Sequence, residues 1–161
     1  MLDIIVDEEV DGPLPSEEAI RQAVTTACRK AGLQHAPMLC IRFADDATVQ
    51  TLNRKWRKRD SVTDVLSFPM QDGDVYEADE SLGDIILATP FTTHEAARLS
   101  LPATDHMLHL IIHATLHLMG YDHVDDEEAE SMHKLERAAM SELGLHDPYP
   151  NEIEDEDKQD V

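Results

Sequence analysis

One stretch, HATLHLMGYDH from His113 to His123, constrains this chain more than any other. His113 and His117 are four residues apart, so on a helix their side chains leave one face, one turn above the other. Gly120 falls where such a helix would stop, because glycine takes the left-handed conformation of a C-terminal cap without a Cβ penalty. The chain can then fold back and bring His123 to the same point. Three imidazoles with a fourth position left to water are the ligand set of a catalytic zinc site, whereas structural sites usually close their shell with cysteine. Cys28 and Cys40 lie far away and in no metal-type spacing. The chain holds nine histidines, and taken singly each reads as a surface or satisfied core residue. His35, His94 and His146 keep that reading. His109, one turn before His113, reads first as a buried histidine bonded to backbone and second as a neighbour of the site. The trio stands apart because spacing, glycine and helix phase agree.

The same spacing matches the histidines and glycine of the metzincin protease signature H-E-x-x-H-x-x-G-x-x-H. Where those proteases place the glutamate that acts as general base, this chain has Ala114, which can neither accept nor donate a proton. The ligand cage is present and the peptidase base is missing.

A length of 161 residues supports one domain with a proper core. No apolar run approaches the ~20 residues needed to span a bilayer, so no membrane partner is expected. The start, MLDIIVDEEV, lacks the basic and apolar regions of a secretion signal, and two unpatterned cysteines fit a reducing compartment; the expected location is the cytoplasm. The formal net charge of −21 argues against a phosphate-backbone partner, but the distribution matters more than the sum. Five of the thirteen Lys and Arg residues fall in RKWRKR, Arg54 to Arg59. The bland reading of this cluster is a solvated helix end, where cations meet the dipole favourably. The acidic residues concentrate in Asp72 to Glu80, Asp125 to Glu130 and the tail after Pro148.

Taken in order, Leu2 to Val6 suits a buried strand. Ser16 caps a helix whose Ile20, Ala23, Val24 and Ala27 recur at helical spacing up to Gly32. Leu39, Ile41 and Phe43 alternate as in a half-buried strand. Asp45 or Asp46 opens a second helix with Val49, Leu52 and Trp56 as its packing face. Thr63 to Phe68 and Leu82 to Ala88 read as strands separated by an exposed acidic loop. Thr89 and Pro90 open a helix through Leu99 as N-cap and first residue. The long helix, Ala103 to Met119, sets Leu108, Ile111, Ile112 and Leu116 towards the core and His106, His109, His113 and His117 along a neighbouring stripe. Asp125 with Glu128 starts a last helix, in which Ala129, Met132, Ala139, Met140 and Leu143 face inward. The expected architecture is a single α+β domain, residues 1–146, with a small four-stranded sheet, about five helices packed on it and the metal site at the end of a long helix. Strand order is not legible. Residues 147–161 are acidic and poor in apolar residues, and are expected to form a disordered tail.

With HATLHLMGYDH and TDVLSFP both in view, the chain resembles the YbeY family of bacterial rRNA maturation endoribonucleases. The resemblance runs from about Leu39 through Tyr149 and includes LNRKWRKRDSVTDVLSFP, LGDIILA and the ending HDPY. It implies a zinc-dependent, single-strand-directed RNA hydrolase of the cytoplasm, one Zn²⁺ per chain, acting in 16S rRNA 3′-end maturation and ribosome quality control. Its implied partners are an rRNA precursor and the ribosome or its proteins. The family's metal ligands fall on His113, His117 and His123, and its functional arginine on Arg57, with Trp56 in the place of the usual tyrosine. Lys58 stands where glycine is usual, Val62 where proline is usual, and Ala114 where glycine commonly follows the first ligand.

The residues also allow a mechanism to be built. Zinc lowers the pKa of bound water to about 7 or polarises a phosphoryl oxygen, which removes part of the need for a protein base. Arg57 can hold a phosphate with two parallel hydrogen bonds and offset developing charge. Lys55, Lys58 and Arg59 would attract the RNA backbone. Trp56 would stack on a base or pack in the core, and its spacing from Leu52 and Val49 favours the core. Three other readings use the same histidines: a metalloprotease-like hydrolase, a non-catalytic metal-stabilised ribosome assembly factor, and a hydrolase of small phosphoesters.

Overall fold

A computed structural model describes residues 2–71 and 75–152. Four strands, β1 (Leu2–Val6), β2 (Leu39–Ala44), β3 (Val65–Pro69) and β4 (Gly83–Ala88), form one sheet in the order β1-β2-β4-β3. β1, β2 and β4 are parallel, and β3 is antiparallel to β4 at the edge. Five helices, α1 (Glu17–Lys30), α2 (Asp46–Arg57), α3 (Thr89–Arg98), α4 (Ala103–Leu118) and α5 (Asp126–Glu142), complete the α+β domain.

The strand pattern explains the layering. In β4, Ile85 and Leu87 point into the larger core with Leu39, Ile41 and Phe43 of β2 and the apolar faces of α1, α4 and α5. Ile86 and Ala88 point the other way, into a smaller core with Leu66 and with Val49 of α2. A strand covered on both faces reads as a continuous apolar run, which is why LGDIILA does not alternate. β1 differs from the buried strand expected: it is an edge strand, and Ile5 and Val6 are each 49% exposed. Only Leu2 and Ile4 pack against the core.

Helix ends follow their capping residues. The Ser16, Asp45 and Asp125 side chains accept from the backbone N–H of Ala19, Thr48 and Glu128. α3 departs from expectation. β4 runs straight into it, so Thr89 is its first residue, and Ala88 at the cap position offers no side-chain bond. Asp46 of α2 fills part of that role by accepting from the N–H of Phe91 at 3.0 Å. The acidic loop is pinned by Gln71, whose amide accepts from Glu77 N at 2.8 Å and donates to Glu80 O at 3.0 Å; residues 72–74 of it lie outside the described residues. The expected tail starts at Asp147. Residues 147–152 lie against α5, with Arg137 donating to Asp147 and to the backbone oxygens of Tyr149 and Glu152. Residues 153–161 lie outside the described residues.

Gly83, the first residue of β4, sits tightly between β3 and the end of α4. Its φ is +142°, and a Cβ placed there would meet the backbone oxygen of Phe68 and, at 2.9 Å, Leu118 at the end of α4. The neighbour that would have to yield is backbone in the paired strand. Gly83→Ala should therefore lower stability by about 1–3 kcal/mol in chemical denaturation; an unchanged midpoint would show that the β3–β4 turn relaxes freely.

Candidate metal centre

α4 carries the centre because it is buried almost all round. Met107, Ile111, Ile112, Leu116 and Leu118 are at or near zero exposure, so the polar stripe along the helix has to find partners within the protein. His117 lies in the last turn, and Gly120 with a φ of +93° turns the chain back. His117 Nδ1 donates to Tyr121 O at 2.9 Å, which ties the returning strand of chain to the helix. Two residues later the chain delivers His123.

The structure brings His113, His117 and His123 together. Their ring centroids lie 4.6, 5.2 and 5.8 Å apart, and one nitrogen from each falls within 4.8 Å of the others. Hydrogen-bond partners assign the tautomers. His117 Nδ1 faces a carbonyl and His113 Nδ1 faces the carboxylate of Glu136 at 3.0 Å, so each Nδ1 carries the proton. Each Nε2 then presents a lone pair, and these two nitrogens stand 3.1 Å apart. Two lone pairs aimed at one point, with an exposed third imidazole beside them, are a donor set for a cation. The group fits: the three histidines can hold a metal ion, and borderline-soft divalent ions suit imidazole. Burial lowers the pKa of His117, and the neighbouring His113 and His123 lower it further; a ligand kept neutral is ready to bind.

Glu136 was not foreseen. It is wholly buried on α5 and accepts from His113 Nδ1, from His109 Nε2 at 2.8 Å and from the Tyr149 hydroxyl at 2.8 Å. His109 is therefore a buried histidine bonded to a carboxylate rather than to backbone, and it stands outside the ligand trio. Burial pushes the Glu136 pKa up, but hydrogen bonds and charge from His109 and His113 outweigh it and hold the group at about 2. The signal was present in the sequence. Glu136 is four residues from Met132 and from Met140, in phase with the apolar stripe of α5, and a carboxylate on a core face must have partners.

The three histidines open into a cleft of about 650 Å³ that Arg57, Arg59, Asn53 and Asp64 also line. Arg57 donates to the backbone oxygen of Ser67, and its guanidinium lies over the Phe68 ring, 5.2 Å from the centroid. These contacts hold it against β3, on the lining it shares with the histidines. Buried Asn53 donates to Ser61 O at 2.9 Å and shapes the loop that carries Arg59. The other basic residues stand outside the cleft lining. Lys55 lies over Trp56 at 5.1 Å, and Lys58 is the left-handed cap of α2, with a φ of 59°. Trp56 corrects its expected core position: it is 60% exposed. Its phase matches Val49 and Leu52, but residues 54–60 are all exposed, so the last turn of α2 has run past the layer it packs on. Ala114, buried in the same cleft wall, puts no carboxylate where a metzincin base would stand.

The family model for Endoribonuclease YbeY matches residues 7–144. Among curated relatives, the chain is 48% identical to the Endoribonuclease YbeY of Rhizorhabdus wittichii over 141 residues, covering 82% of this chain and 83% of that one. It is 40% identical to that of Pseudomonas fluorescens over 152 residues, 94% and 99% of the two chains. The solution structure of a Thermotoga maritima protein superposes with a TM-score of 0.56 at 22% identity, covering 92% of this chain and 98% of that one, and shares the fold.

Glu136 gives the centre a pH signature. Its pKa is lowered from 4.5 to about 2 on folding, so the stability it contributes is present above the unfolded value and lost as pH falls through the folded one. In urea unfolding of chelator-treated protein, Glu136→Gln should trail the parent by a margin that is full above about pH 4.5 and closes towards about pH 2. A margin independent of pH across that window would mean that the carboxylate charge contributes nothing.

Proposed function

This chain belongs to the Endoribonuclease YbeY family, and on that premise we propose that it is a zinc-dependent, single-strand-specific endoribonuclease of the cytoplasm. Its proposed role is 16S rRNA 3′-end maturation and ribosome quality control, with an rRNA precursor as substrate and the ribosome or its proteins as partners. The observation that supports this reading best is that Arg57 and the three histidines line one cleft, so an arginine suited to phosphate faces a donor set suited to zinc. His113, His117 and His123 would hold one Zn²⁺ per chain. When bound, such an ion supplies Lewis acidity and makes water a competent nucleophile near neutral pH.

The chain's own residues account for the rest. The planar guanidinium of Arg57 offers two parallel donors to a phosphate and offsets charge that develops in the transition state. Its stacking on Phe68 and its bond to Ser67 O hold the group in place before substrate arrives. Arg59 extends the positive wall of the cleft, while Lys55 and Lys58 outside it would attract the RNA backbone. A protease reading lacks a base at Ala114, and no observation favours the assembly-factor or small-phosphoester readings over this one.

Purified protein should carry about one zinc per chain, and replacing His113, His117 or His123 by Ala should each remove most of it. Full retention in any two of these variants would rule out the assigned cage.

Arg57→Lys separates catalysis from binding. It keeps the charge but loses the two-pronged donor, so cleavage of a single-stranded RNA should fall about 100-fold. Zinc content and folding should stay normal, and RNA affinity should fall less than the rate. If the variant cleaves like the parent, Arg57 has no role in the transition state.

A further inference from the structure

We propose that Glu136 and Tyr149 are positioning residues for the metal ligand His113, and that residues 147–152 form a clasp which fixes that ligand's ring from behind. The inference rests on the reading of the three histidines as a zinc cage and assigns the cage a support from a part of the chain remote in sequence.

The argument starts from the cost of the carboxylate. Glu136 has zero exposure and sits among Met132, Ala139 and Met140 on the inward face of α5. A buried carboxylate is tolerated only where its oxygens are fully engaged. Three donors reach it from two elements: His113 Nδ1 and His109 Nε2 from α4, both to Oε1, and the Tyr149 hydroxyl, 2.8 Å from Oε1 and 3.0 Å from Oε2. Two of these donors do not touch the cleft side of the trio. Their effect is to stop the carboxylate from turning, so that Oε1 stays opposite His113 Nδ1 and the lone pair on Nε2 stays aimed at the shared point.

Tyr149 can do this only because it is itself held. Its ring stacks on His133 with centroids 3.8 Å apart and an angle of 22° between planes. Its N–H donates to Asp147 at 2.9 Å and its backbone oxygen accepts from Arg137. Arg137 Nε also donates to Asp147 at 3.2 Å, and Glu152 pairs with His133 Nδ1 at 2.9 Å. The segment is thus fastened to the outer face of α5 at His133 and Arg137, while its one tyrosine reaches the carboxylate in between. A segment that served packing alone would need none of these polar contacts with the ligand's partner, since an apolar residue at 136 would fill the core at lower cost.

The test measures metal, not turnover. Zinc is titrated into metal-free parent, Tyr149→Phe and Glu136→Gln in competition with a chromophoric chelator, below the melting temperature of each. Cobalt(II) absorption spectra of the same proteins report the ligand geometry. Tyr149→Phe keeps the stacked ring and so keeps the fold. Zinc affinity should fall about 10- to 100-fold in Glu136→Gln and about 2- to 10-fold in Tyr149→Phe, with displaced cobalt bands in both. Parent-like affinity and spectra in the two variants, beside a parent that binds zinc tightly, would overturn the clasp and leave the zinc cage standing. A parent that does not bind zinc would overturn both.

Discussion

The rest of the molecule depends on a conflict within α4. The helix is packed on nearly every side, yet four of its residues are imidazoles on one stripe, and each buried polar group must be matched or it costs roughly 1–3 kcal/mol. Three solutions appear along its length. His106 meets Glu95 at 2.6 Å, His109 and His113 share Glu136, and His117 uses the carbonyl of the turn that Gly120 permits. The partners come from α3, α5 and the returning chain, so the placement of those elements around α4 is coupled to where its histidines lie. At His113 and His117 the same bonds that satisfy Nδ1 leave Nε2 without a proton. Structural satisfaction and ligand preparation are one set of contacts.

Much of this was legible because it is local. Helical spacing, the glycine stop and the N-caps at Ser16, Asp45 and Asp125 depend on residues within one or two turns, and the strands and helices lie where those signals place them. The grouping of His113, His117 and His123 was legible for the same reason. Strand order was not, since nothing local distinguishes β1-β2-β4-β3 from its alternatives. Two misreadings share a cause. Trp56 has the phase of a core residue and Leu2–Val6 the composition of a buried strand, but phase and composition do not reveal where the neighbouring layer ends. Both lie at an edge of the fold, one on an overhanging turn and the other on an outer strand.

Glu136 and Tyr149 show the opposite limit. Tyr149 belongs to a stretch whose acidity and prolines read as tail, and its contact with Glu136 depends on how α5 presents that carboxylate. Composition averages over a segment, whereas the stacking of one tyrosine on His133 and the bonds of Arg137 to Asp147 and Tyr149 are contacts of single residues. Lys58 is a smaller instance. It occupies a left-handed cap, a conformation that costs a residue with a Cβ roughly 1–2 kcal/mol. A glycine at this point would avoid that cost, and the chain leaves this cap directly into Arg59 on the cleft lining.

Charge distribution adds the last constraint. A chain with a formal charge of −21 repels a polyanion over most of its surface, and the first turn of α5, just past His123, is built from Asp126, Glu127 and Glu128. Those acids favour the helix N-terminus through its dipole, so their position follows from folding as much as from function. Towards an RNA substrate, as proposed above, their charge would be repulsive. The attractive residues are gathered at the end of α2, and Arg57 and Arg59 alone among them line the cleft of the three histidines. On the function proposed above, repulsion elsewhere and attraction at one mouth would select an approach in which the backbone meets the arginines beside the three histidines, so net acidity would narrow where the substrate binds productively instead of opposing its binding.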